Sequence, residues 1–158
     1  MRKQKSITIV ETIIKAGLLT GCLDIAAALL QFYLRTGKSP VVVLNFIASG
    51  VFGKTAFTGE MGMTFWGLLF HFIIAFVWTM IFFLLYPKIA LLSKNKIING
   101  ILFGFIIWSV MTRIILPISN TPKIPFDLIQ AVIGILILML AVGMPNSFLI
   151  SKYYLRRW

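Results

Sequence analysis

The sequence predicts an all-α integral membrane protein: four transmembrane helices, with a short interfacial or re-entrant helix between the first two. Three observations lead there. Residues 63–86, MTFWGLLFHFIIAFVWTMIFFLLY, form an apolar run without acidic or basic side chains apart from His71. As a helix that run is about 36 Å long, enough to cross a hydrocarbon core of about 30 Å. Hydrophobic residues make up 59% of the chain and charged ones 12%, where soluble domains carry about 25% charge. Finally, the basic residues stand in short clusters at the ends of apolar segments. A chain of 158 residues then holds a single four-span domain with short connections, and leaves no room for an appended soluble catalytic domain.

The segments follow in order. Arg2, Lys3 and Lys5 form a basic lead. The first span runs over about 12–34, and Glu11 and Lys15 stand four apart in the favourable order for a helical ion pair. A basic start followed by an apolar run resembles a signal peptide, but this run is longer than the usual ~7–15 residues, carries Asp24 and lacks a small-x-small cleavage site. It is expected to be a retained span. Its lone Cys22 is expected to be a buried, inert thiol, and with no second cysteine no internal disulfide forms. Tyr33 and Arg35 mark the far interface.

Gly37 and Pro40 signal a turn. The apolar stretch 40–53 is too short to span, so it either lies in the interface or re-enters the bilayer, with few polar positions (Asn45, Ser49). Loop 54–62 leads to the second span, 63–86, which closes on Tyr86, Pro87 and Lys88. After the lysine-containing connection 87–96, the third span covers 97–116 and stops at Pro117. Pro117, Pro122 and Pro125 make 117–126 a rigid, non-helical turn. Asp127 is placed to cap the fourth span, 127–150. Pro145 is expected to kink that helix or end it early, with Asn146 satisfying the freed backbone groups. The tail SKYYLRRW is an aromatic and basic anchor.

Four spans put both termini on one side with the 87–96 loop. That side carries Arg2, Lys3, Lys5, Lys88, Lys94, Lys96, Lys152, Arg156 and Arg157; the other carries Arg35, Lys38, Lys54 and Lys123. The bias predicts cytoplasmic N- and C-termini in the cell's inner (plasma) membrane. A net charge of +11 is therefore assigned to anionic lipid headgroups of the bilayer, and no nucleic-acid partner is expected because the folds and stacking platforms that bind nucleic acid are missing.

A charge near the bilayer centre costs about 2.5–3.5 kcal/mol on insertion scales, so each one needs a partner or a purpose. Asp24 shares a helical face with Gly17, Gly21 and Ala28, small residues that admit another helix. His71 shares one with Gly67, Ala75 and Trp78. The two sit at matching depth, which allows an Asp24–His71 hydrogen bond or ion pair. Arg113, close to the end of its span and opposite the Gly100/Gly104 face, either snorkels to the headgroups or pairs with Asp24, Glu60 or Asp127. One histidine and one cysteine give no tetrahedral metal site. No cofactor motif and no nucleophile–base–orienter set is present, so no enzyme activity is expected.

The order of short motifs carries a resemblance. Ser39-Pro40 precedes an apolar stretch with Asn45 and Gly50, and a span led by His71 ends in Pro87-Lys88-Ile89. A third span ends in Leu116-Pro117, and Thr121-Pro122 and Pro125-Phe126-Asp127 precede the last. Over nearly the whole chain this resembles the YagU-like family of small bacterial inner-membrane proteins. The resemblance implies a four-span inner-membrane fold; that family has no established activity, so no catalytic residues are implied.

Two functions fit these expectations. The first is a structural or accessory membrane protein whose buried polar residues serve packing. The alternative is a small proton or ion conductor, or a small-solute transporter, using Asp24 and His71. Four helices leave little room for an internal pore, so transport is expected to need a homo-oligomer, with Gly17/Gly21 and Gly100/Gly104 as contact faces.

Overall fold

The computed structural model describes residues 8–59, 61–88 and 95–155. Arg2, Lys3, Lys5, Glu60, Lys94, Arg156 and Arg157 lie outside the described residues. Among those described there is no strand. Four helices are long and apolar enough to cross a membrane: α1 (Ile9–Thr36), α3 (Met61–Leu85), α4 (Lys96–Ile118) and α5 (Leu128–Leu155). The short apolar helix α2 (Val41–Phe52) lies between α1 and α3 and runs into a 3-10 turn, Gly53–Phe57.

Local chemistry sets the ends. The Thr8 hydroxyl accepts the Glu11 N–H at the start of α1, and Gly37, at φ 65°, closes it by donating its N–H to the Tyr33 carbonyl. That left-handed cap favours glycine. The Asn95 side chain caps α4 through Ile97 and Ile98 N–H groups. The Asp127 carboxylate does the same for α5, accepting Ile129 N–H at 2.8 Å and Gln130 N–H at 3.1 Å. Lys15 and Glu11 form the expected ion pair on α1.

Pro145 does not end its helix early, whereas the helix of Pro117 ends one residue beyond that proline. α4 continues to Ile118 and α5 to Leu155. Each proline is preceded by a widened π turn, Met111–Ile115 in α4 and Leu138–Gly143 in α5. The residue just before each proline donates five residues back, Leu116 to Met111 and Met144 to Met139. Proline has no N–H and its ring collides with the carbonyl four residues back; a turn opened by one residue shifts that carbonyl aside. The fourth helix is therefore five residues longer at its end than the 127–150 span. Asn146 does not serve the freed backbone either, since neither polar atom of its side chain has a hydrogen-bond partner.

Glycines bring the helices together. A Cβ on Gly17 would lie 2.5 Å from the Phe76 ring and one on Gly21 2.8 Å from the Phe72 ring, so this face of α1 is filled by α3. A Cβ on Gly100 or Gly104 would meet the α5 backbone at Met144 or Met139, and one on Gly143 would fall 1.9 Å from the Gly100 carbonyl oxygen. Both glycine pairs are thus covered within the chain. They are not available as contact faces between copies.

α3 and α4 meet through large rings, Phe82 on Phe103 with centroids 4.5 Å apart and Trp78 edge-on to Phe103. Around them Phe83, Tyr86, Ile107, Ile150 and Tyr153 complete a buried core towards the end of the bundle that carries the termini. The outward surface is apolar: Leu19, Leu23, Phe65, Val77, Leu84 and Phe105 are among the large exposed side chains. At most 28% of any span's most apolar window is buried, so most of this hydrophobicity faces outward, as lipid requires. Cys22 faces outward too. Its expected burial fails because the α1 face turned to α3 is that of Gly17 and Gly21.

Candidate functional site

Above the aromatic core, towards the end of the bundle with the α1–α2 and α4–α5 connections, lies a chamber of about 480 Å³. This volume is in the range of pockets that enclose small ligands. All five helices contribute, so α2 joins the four spans in enclosing the space, where four helices alone were expected to leave little room for an internal pore. The reason is local. The two π turns push Met111, Ile115, Leu138 and Val142 around the chamber wall, and α2 stands as a fifth wall instead of lying apart.

α2 is held near both of its ends. Its Leu44 carbonyl sits where a Cβ on Gly67 would be, 1.9 Å away, so the α2 and α3 backbones touch. Thr64 donates its hydroxyl to Asn45 Oδ1 at 3.0 Å. At the far end, Asn120 donates its backbone N–H to the Gly50 carbonyl and its side-chain Nδ2 to the Val51 carbonyl, both at 3.1 Å. Phe46, Ile47 and Gly50 then face the chamber.

Asp24 and His71 both line it. His71 is buried at 8% exposure, and its Nε2 lies 2.9 Å from the Gly21 carbonyl oxygen. A carbonyl only accepts, so Nε2 carries a hydrogen. In the neutral ring Nδ1 is then left as an acceptor. Asp24 is one turn further along α1. The two groups interact electrostatically, but no hydrogen bond or ion pair joins them among the described residues. A direct Asp24–His71 bond is therefore absent; the Gly21 carbonyl takes the ring nitrogen instead. The Asp24 carboxyl group has no hydrogen-bond or ion-pair partner among the described residues.

Arg113 does not line the chamber and is exposed. It is paired with neither Asp24 nor Asp127, and Glu60 lies outside the described residues. The rest of the lining is mainly apolar and aromatic, including Phe46, Trp78 and Trp108, with no lysine or arginine. Its other polar groups are Gln31 and Gln130, whose side chains hydrogen-bond α1 to α5, and Ser119 with Thr121 in the turn after α4, joined at 2.8 Å.

Sequence reasoning passed over the glutamines because they are uncharged. Two amides placed within otherwise apolar spans were the signal. It also missed a buried polar layer below the chamber. Thr20, Thr79 and Asn146 each sit one turn beyond a chamber residue (Asp24, Ala75 and Val142), and all three are fully buried. Thr20 donates to the Ala16 carbonyl at 2.8 Å, whereas Thr79 Oγ1 and the Asn146 amide have no partner.

No family model, no curated protein and no solved structure matches this chain.

Proposed function

We propose that the protein is a multi-pass inner-membrane protein that acts as a small-solute carrier, with both termini in the cytoplasm. One observation carries this reading: a chamber lined by Asp24 and His71 lies above a tightly packed aromatic core built on Phe82 and Phe103. A chamber closed on one side suits one access state of a carrier; an ion conductor would need a continuous path. The excess of basic residues beside the termini supports the orientation, and the order of motifs supports a YagU-like relationship. Neither a cofactor nor catalysis is part of the proposal.

Cysteine accessibility tests it. In a Cys22→Ser background, Ile74→Cys places a thiol on the chamber wall and Ile150→Cys one in the closed core. In proteoliposomes the first is expected to react with a membrane-impermeant methanethiosulfonate reagent from the side of the α1–α2 connection only, and the second from neither side. Vesicles carrying the wild type should pass no steady proton current under an imposed potential. An Ile74→Cys thiol inert from both sides in folded protein would leave the accessory, packing role in its place. A steady proton current abolished by Asp24→Asn would make the protein a conductor.

A further inference from the structure

We propose that the chamber takes a monocationic amphiphile: an ammonium group held at Asp24, with an apolar body against the aromatic wall. This rests on the carrier reading and adds the chemical class of its solute.

The charge inventory decides the sign. Among the lining residues Asp24 is the one carboxylate, and no lysine or arginine is present to neutralise it. No described side chain or backbone group hydrogen-bonds it. His71, the other ionisable group on the wall, gives its Nε2 hydrogen bond to the Gly21 carbonyl and none to Asp24. A carboxylate held in a largely apolar enclosure is stabilised most by a cation that also donates hydrogen bonds. An anionic solute would meet a like charge, and a neutral one would leave the carboxylate unpaired.

The walls describe the rest of the solute. Phe46, Trp78, Trp108 and Ile107 face the same space, so the body must be apolar. Tryptophan faces also attract a cationic head. The Gln31–Gln130 pair and the Ser119–Thr121 pair sit in the same chamber, each joined by a hydrogen bond; both pairs are neutral, and Asp24 is the acidic group on the wall without a hydrogen-bond partner.

Three probes of one shape separate the possibilities: 4-phenylbutylamine, 4-phenylbutanol and 4-phenylbutyrate. Binding of each to the purified full-length protein in non-ionic detergent is measured calorimetrically against protein-free micelles. The amine is expected to bind saturably, the alcohol about tenfold or more weakly, in line with a charge-assisted hydrogen bond, and the carboxylate not at all. In Asp24→Asn the amine should fall to the level of the alcohol, whose own binding is unchanged and so reports an intact chamber; Asp24→Glu should keep the preference. Equal binding of amine and alcohol to wild type overturns the cationic class and leaves the carrier standing. A preference that survives in Asp24→Asn overturns the assignment to Asp24. Absence of saturable binding by all three overturns both this proposal and the carrier. If Asp24→Asn does not fold, the wild-type comparison of amine with alcohol still decides the class.

Discussion

Gly67 and Gly62 lie on the same helix, and adding one methyl group to each should have opposite effects. A Cβ on Gly67 would lie 1.9 Å from the Leu44 carbonyl oxygen, 2.6 Å from its carbonyl carbon and 3.1 Å from its Cα. The closest ordinary carbon–oxygen contacts keep about 3.3 Å, so the shortfall is about 1.4 Å. Because the obstacle is backbone, no side-chain rotation relieves it; α2 must withdraw from α3 or tilt. Overpacking of this kind costs about 1–3 kcal/mol, and the rigid neighbour argues for the upper end. A Cβ on Gly62, by contrast, meets nothing within 4 Å, and alanine is favoured over glycine in a helix by up to about 1 kcal/mol. Reversible unfolding in mixed micelles of dodecyl maltoside and SDS should show Gly67→Ala less stable than wild type and Gly62→Ala equal or more stable. The gap between the two variants is about 2–4 kcal/mol. Since α2 supplies Phe46 and Ile47 to the chamber, Gly67→Ala should also weaken amine binding. Equal stability of the two variants would refute the direct α2–α3 backbone contact and, with it, the wall that α2 forms.

Two further outcomes follow from single side chains. Thr79→Val replaces a fully buried hydroxyl that has no partner with a methyl group of similar size, so the same unfolding assay should show stability unchanged or raised by about 1–3 kcal/mol, the penalty of an unmade buried hydrogen bond; a loss of more than about 1 kcal/mol would show that the hydroxyl is partnered. Asp127→Ala removes two N–H acceptances at the start of α5 and should cost about 1 kcal/mol, with faster amide exchange at Ile129 and Gln130; unchanged exchange there would mean the cap contributes nothing.

Much of the architecture was readable because the bilayer imposes simple requirements. Length and apolarity located the four spans to within a few residues, and Asp127 was readable as a cap, whereas the caps Thr8 and Asn95 were passed over although short polar side chains serve exposed N–H groups in the same way. Pro117 and Pro145 were legible as disturbances but not as kinds of disturbance. Whether a helix stops or opens into a π turn depends on whether neighbours hold the far segment, and the backbone contacts of Gly100, Gly104 and Gly143 are long-range facts. The glycine pairs were readable as sites of close approach, not as to whose helix approaches. Asp24 and His71 were readable as polar residues at one depth; that His71 would choose the Gly21 carbonyl required the helix rotations. The chamber was the least legible feature, because it arises from the joint position of α2 and two π turns rather than from any one segment.

The backbone contact between Leu44 and Gly67 also bears on how the chain enters the membrane. α2 has 12 residues, so its axis is about 18 Å long, well short of a crossing, and α1 alone gives it little to lean on. Its main partner is translated about two dozen residues later, a delay of a second or a few at ordinary synthesis rates. α2 has its backbone partner only once Gly67 has been made, and the approach to Leu44 closes because Gly67 carries no side chain. One missing side chain thus lets α2 and α3 stand as a unit, as Gly100, Gly104 and Gly143 do for α4 and α5, and joint insertion of α2 with α3 is the expected consequence.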